Sequence, residues 1–154
     1  MKCKVVLLAH NIRSMWNVGS LFRSCDGFGA AKLILSGYTA VPPRKEISKT
    51  ALGAEEFVMW EHCDEPFGAI EKLKKEGFTI VALEQTQDAK NIYTYKPPEK
   101  ICLILGNEIS GVPDDVLDLC DEKVQIPMRG KKESLNVAVA AGVALYALNR
   151  IDIN

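Results

Sequence analysis

The sequence predicts an α/β fold around a mainly parallel sheet, flanked by helices. Short apolar runs alternate with amphipathic segments that end on glycine, the pattern of strand–helix repeats. Four of those runs are hydrophobic at nearly every position, as strands buried on both faces must be. The length of 154 residues matches the roughly 150 of a single domain, so residues 1–154 are read as one domain.

The four strong runs are residues 4–9, 32–35, 79–83 and 101–105, and two weaker ones are predicted at 57–60 and 123–126. A helix over 17–28 places Leu21, Phe22, Cys25 and Phe28 on one stripe and stops at Gly29. A second, over 64–76, has Asp64 as a cap, an early Pro66, and Phe67, Ile70 and Leu73 on one face before Gly77. A third, over 113–120, opens on Pro-Asp-Asp. The longest, over 134–149 with Ser134 as its natural cap, carries Val137, Ala138, Ala140, Ala141, Val143 and Ala144. With so little polar face it is expected to be buried nearly all round, in the core or against a second subunit. The stretches around Pro42-Pro43-Arg44-Lys45 and Lys96-Pro97-Pro98 read as surface loops.

Composition narrows the function classes. The chain is 47% hydrophobic and 25% charged, which excludes a disordered chain. Its longest apolar run, 137–148, falls short of the roughly 20 residues of a membrane span, and no secretory signal is read at the start. A soluble, cytoplasmic protein is expected. The net charge of −1 means that any nucleic-acid surface must be local. Five cysteines without Cys-x-x-Cys spacing and two distant histidines, His10 and His62, suggest neither a disulfide framework nor a metal site. The cysteines read as small buried hydrophobes.

Ligands on parallel sheets sit where loops leave the carboxyl ends of strands. Three such loops stand out. The first leads into Asn17-x-Gly19-x-x-x-Arg23; alone it reads as a helix cap and a solvated arginine, and six residues of helix put Asn17 and Arg23 on different faces. The second is Gly106-Asn107-Glu108-Ile109-Ser110-Gly111, where Gly106 suits close approach of a ligand or, equally, a tight turn. The third runs from Ile126-Pro127-Met128 through the basic Arg129, Lys131 and Lys132 to Ser134-Leu135-Asn136. Asn136 heads a segment bound for burial, where an amide needs a partner. No phosphate-binding P-loop and no Gly-x-Gly-x-x-Gly fingerprint is present.

Together, in this order and spacing, the three loops resemble the SpoU (TrmH) branch of the SPOUT superfamily of RNA methyltransferases. The resemblance spans essentially the whole chain. It implies an α/β domain with a deep C-terminal trefoil knot, a homodimer with the active site near the subunit interface, and S-adenosylmethionine as cofactor. The implied reaction is methyl transfer to a ribose 2′-hydroxyl of RNA, with tRNA favoured over rRNA and no metal or membrane involved. Arg23 would activate the hydroxyl, as a base or by stabilising the developing alkoxide, the latter being easier for an always-charged guanidinium. Asn17, Glu108, Ser134 and Asn136 would complete the polar shell. Leu83, Gly106, Asn107, Ile126, Met128, Ser134 and Leu135 would hold the cofactor. Arg13, Arg44, Lys45, Lys49, Arg129, Lys131 and Lys132 form the expected RNA footprint, with Trp16 as a stacking platform or, equally, a core or interface aromatic. One departure is the Ser14-Met15-Trp16 that stands where many relatives carry a proline-containing element. The alternative is a non-catalytic, RNA-binding or cofactor-sensing relative, which the intact set of polar residues disfavours.

Overall fold

The computed structural model describes residues 3–149; the outer ends of the predicted 1–154 domain lie outside the described residues. Seven strands form one sheet: β1 (Lys4–His10), β2 (Lys32–Ser36), β3 (Trp60–Cys63), β4 (Thr79–Leu83), β5 (Lys90–Asn91), β6 (Lys100–Leu105) and β7 (Glu122–Gln125). Their order is β3-β2-β1-β6-β4-β7-β5, and every strand pair is parallel. The helices are α1 (Met15–Phe28), α2 (Lys45–Ala51), α3 (Phe67–Lys75), α4 (Asp114–Leu117) and α5 (Val137–Leu148).

Strand alternation divides the core in two. Val5, Leu7 and Ala9 of β1 face one side with Leu33, Leu35, Ile101 and Leu103, and meet Phe22 of α1 and Leu145 of α5. Val6 and Leu8 face the other side with Ile34, Ile80 and Ile104, and meet Ile70 of α3 and Val116 of α4. Because both sides are covered, β1 and β6 are buried at every position after their first lysine. That double burial is why these strands read as unbroken hydrophobic runs.

Helix α1 is gripped on both flanks, by α2 and by α5. Gly19 makes the first contact possible. A Cβ there would lie 1.9 Å from Thr50 Oγ1 and 2.3 Å from the Ile47 carbonyl oxygen, so only glycine lets the two helices approach this closely. Gly29 ends α1 in the left-handed conformation, as its position predicts.

Several expectations are corrected. The Arg44-Lys45 end of the predicted 42–45 loop is the cap and first residue of α2, a helix carrying Ile47 and Ala51 on its buried side. The strand expected at 57–60 begins at Trp60, because a 3-10 turn over Ala54–Glu56 takes the N–H groups of Phe57 and Val58, and Phe57 and Met59 point to solvent. The two-residue β5 went unread; it is held by the Gln125 amide, which donates to the carbonyls of Thr86 and Ala89. Helix α5 is capped by Asn136, whose Oδ1 accepts from Ala138 and Val139 N–H, and not by Ser134. Within the single chain, Ala141, Ala144, Leu145 and Leu148 of α5 enter the core, and Val139, Val143 and Tyr146 form an exposed face. Of the cysteines, Cys3, Cys25 and Cys102 are buried as expected, Cys63 and Cys120 are half-buried, and none forms a disulfide.

Candidate active site

The carboxyl ends of β1, β6 and β7 deliver the three predicted loops to one edge of the sheet. Their polar side chains meet in a single relay. Glu108 Oε1 accepts from Arg13 N–H at 2.8 Å, and Oε2 from Ser14 N–H at 2.9 Å and Asn17 Nδ2 at 3.1 Å. Asn17 Oδ1 in turn accepts from Asn136 Nδ2 at 3.2 Å. Asn136 closes the chain by capping α5, so the partner its position demanded is a helix end on one side and Asn17 on the other.

Glu108 therefore fills the anion-binding position that the start of α1 offers. Partial burial acts to raise its pKa, but the N–H groups of Arg13 and Ser14 and the Asn17 amide hold it below the usual carboxyl value. It is an ionised clasp between the β1–α1 and β6–α4 loops.

Asn107 is a second clasp. Its Nδ2 donates to the Asn11 carbonyl and to Tyr38 Oη, and its Oδ1 accepts from Ile109 and Ser110 N–H. The loop doubles back so that Asn107 and Gly111 pair antiparallel. Gly106 serves that turn: a Cβ on it would strike the Gly111 carbonyl at 2.2–2.3 Å. Of the two readings of Gly106, the tight turn is what the geometry shows.

Beside the relay, between the ends of β6, β4 and β7, a cleft of about 200 Å³ opens. Leu83, Gly106, Asn107, Ile126, Ser134 and Leu135 line it, as does Glu108. Met128 is not among its lining residues. Glu84, Gln85 and Gln125 line it and were missed. The strand-end rule pointed there, and the reading stopped one residue short at Leu83. Among the described residues, the cleft lining carries two carboxylates, Glu84 and Glu108, and no lysine or arginine.

Arg23 is not brought to this cleft. It is exposed on α1 and lines a separate, more open concavity with Ser20, Ser24, Phe28, Lys49 and Thr50. The seven predicted RNA-binding residues are all exposed and none lines the cleft: Arg13 on the β1–α1 loop, Arg44, Lys45 and Lys49 at α2, and Arg129, Lys131 and Lys132 before α5. Lys49 sits 5.6 Å above the half-exposed Trp16 ring, a cation–π pair beside Arg23's concavity. Among the described residues no helix is long and apolar enough to cross a membrane.

The comparisons with known proteins agree with this layout. The chain is 31% identical over 147 residues to the tRNA (guanosine(18)-2′-O)-methyltransferase of Aquifex aeolicus, covering 95% of this chain and 69% of the relative. It is 32% identical over 146 residues to the 23S rRNA (guanosine-2′-O-)-methyltransferase RlmB of Coxiella burnetii, covering 95% and 58%. The crystal structure of the SpoU methyltransferase AviRb from Streptomyces viridochromogenes in complex with AdoMet superposes with a TM-score of 0.87 at 27% identity, covering 97% of this chain and 58% of that one. The chain thus spans about three-fifths of the length of the last two. The model of the SpoU rRNA methylase family matches residues 4–146, nearly the whole chain, and the chain belongs to the SpoU rRNA methylase family.

Proposed function

We propose that this protein is an S-adenosylmethionine-dependent methyltransferase acting on a ribose 2′-hydroxyl of RNA, with tRNA the favoured substrate and the cytoplasm its compartment. The observation that carries the reading is the relay of Glu108, Asn17 and Asn136, joined to the cleft through Glu108, which lines it. The similarity to the tRNA methyltransferase of Aquifex aeolicus supports tRNA.

The cleft chemistry fits the cofactor. A lining with two carboxylates and no cationic side chain suits a positively charged sulfonium nucleoside and disfavours a phosphate-bearing dinucleotide. Strand-end backbone at Leu83, Gly106 and Ile126 would hold the adenosine, with Ser134 and Leu135 closing the other wall. When bound, the cofactor supplies an activated methyl group. Such a transfer asks the protein for alignment and for stabilisation of the developing alkoxide, not for a covalent enzyme intermediate. Asn17 and Asn136, fixed by each other and by Glu108, orient the ribose.

Arg23 stabilises the alkoxide from a neighbouring surface. Its concavity adjoins the exposed side of α5: Phe28 packs edge-on against Tyr146 with ring centroids 5.9 Å apart. We place the dimer contact on Val139, Val143 and Tyr146, not on Ala141, which is already in the core. A two-fold pairing there brings Arg23 to the subunit interface. The C-terminal trefoil knot belongs to this proposal as well. Sedimentation is expected to give twice the 17.0 kDa chain mass, and Val143→Glu to shift the protein towards monomer.

Incubation with methyl-labelled cofactor and unmodified tRNA or rRNA, followed by nucleoside mass spectrometry, tests the activity. A 2′-O-methylnucleoside is expected. No methyl transfer to either RNA, together with no cofactor binding, would overturn the reading.

A further inference from the structure

We propose that Glu84 reads the ribose of the bound nucleoside cofactor, its free carboxylate oxygen accepting from the vicinal 2′- and 3′-hydroxyls; this rests on the methyltransferase reading above. Glu84 directly follows β4 and lines the cleft. Its Oε2 accepts from Val112 N–H at 2.9 Å. The α-carbon of Gly111, at φ +73°, lies against the same carboxylate, where a Cβ would come within 2.5 Å of Oε2 and 3.2 Å of Oε1. The carboxylate is therefore fixed from the β6–α4 loop through one oxygen, and among the described residues Oε1 receives no hydrogen bond.

Glu108, the other carboxylate of the cleft, shows the contrast. Both of its oxygens are taken by the protein. No lysine or arginine lines the cleft to neutralise Glu84. A ligand that enters strips water from Oε1, and the loss is offset only if the ligand brings a donor. A sulfonium has no N–H or O–H to give. An adenine amino group is flanked by ring nitrogens whose lone pairs would face the carboxylate. A flexible ammonium tail needs charge nearby but no fixed direction. A vicinal diol offers two O–H donors in one direction, which a carboxylate held by backbone at a strand end is shaped to accept.

Calorimetry on the full chain tests this with S-adenosylhomocysteine, 5′-methylthioadenosine and the 2′-deoxy form of the latter. E84Q keeps an oxygen for Val112 N–H, and its melting temperature checks the fold. E84Q is expected to weaken S-adenosylhomocysteine and 5′-methylthioadenosine alike, by about 10- to 100-fold. In the wild type, loss of the 2′-hydroxyl should weaken binding several-fold, and in E84Q it should cost little more. The wild-type arm needs no variant to fold, and full affinity for the deoxy nucleoside there overturns the proposal. So does wild-type affinity of E84Q for 5′-methylthioadenosine, or a loss seen only with S-adenosylhomocysteine, which would assign Glu84 to the amino-acid tail. If the wild-type protein binds none of the three, the methyltransferase reading fails first.

Discussion

The carboxyl edge of the sheet has two halves that treat polar groups in opposite ways. On the β1–β2 half the loops consume one another. His10 Nδ1 meets Ser36 Oγ at 2.9 Å, Thr39 Oγ1 accepts from Ile12 N–H, and Glu108 fills the start of α1. The crevice between β1 and β6, where parallel sheets commonly bind ligands, is sealed by a side chain of the protein itself. On the β4–β7 half the strands stay paired to their ends, and a cleft opens beside them with a carboxylate oxygen that no described residue bonds. The sealed half is a frame that aims Asn17 and Asn136; the open half is what a ligand can enter. Placement, not residue type, separates the two glutamates, since Glu108 and Glu84 both sit at the Gly106–Gly111 turn and only Glu108 is taken up by the start of α1.

The largest effect should come from a residue outside the cleft. Arg23 sits on α1, in the sealed half, and touches no group of the relay. If its charge acts only on the transition state, Arg23→Ala lowers the single-turnover rate by about 100- to 1000-fold. Cofactor affinity stays close to wild type, because the cleft keeps its lining. Rate and binding measured on the same variant check this, and equal losses in both would place Arg23 in cofactor binding instead. Arg23→Lys should restore little, since an ammonium lacks the planar fork.

The next effect is on the frame. Gly19 belongs to the same motif as Asn17 and Arg23, yet its structural duty is helix packing against Thr50 and Ile47. Gly19→Val forces α1 from α2 and should cost about 1–3 kcal/mol, the range for overpacking. Denaturant unfolding measures it. The displaced α1 would also loosen the bond from Asn17 to Glu108, so activity should fall more than stability alone explains.

This shows which parts of the molecule the residues disclose and which they do not. β1 and β6 were legible because burial on both faces leaves an unbroken apolar run. Helix α2 was not, because Pro42-Pro43 reads as loop and only Ile47 and Ala51 of its seven residues are buried. β3 was displaced because Phe57 and Met59 are apolar yet exposed, 78% and 69%. In the site, Asn136 could be named because an amide heading a buried segment needs a partner, and Asn17 and Glu108 because their loops resemble the family's motifs. Their mutual bonds could not, since 91 and 119 residues separate the partners. Arg23's distance from the cleft was partly legible, since helical spacing already put it on another face than Asn17. Glu84 left no motif; only its place after β4 marks it.

Asn136 joins the two halves, bonding Asn17 on one side and capping α5 on the other. Asn136→Ala should cost about 1 kcal/mol, as lost caps do. Asn136→Asp keeps the cap acceptor but cannot donate to Asn17. It should therefore recover stability without recovering rate, and thermal melts with single-turnover assays separate the two duties.

The smallest effect concerns the seal itself and is read in pH. Glu108 is depressed below the ordinary carboxyl value, so the folded state binds its proton less readily than the unfolded chain does. Its contribution is then fully present above the unfolded value of about 4.3 and is lost as pH falls through the lower folded value. Because the group is half-exposed, solvent screening limits that contribution to about 1 kcal/mol or less. Glu108→Gln removes the charge and, like the protonated carboxyl, leaves one carbonyl oxygen for donors that now use both, Arg13 N–H on Oε1 and Ser14 N–H with Asn17 Nδ2 on Oε2. The variant should be slightly less stable than wild type at pH 7, and the gap should close below about pH 4. Urea unfolding of both proteins from pH 7 to pH 3 gives the two curves. A gap that persists at pH 3 would mean that shape and not charge seals the crevice, and that the two halves of the sheet edge differ only in packing.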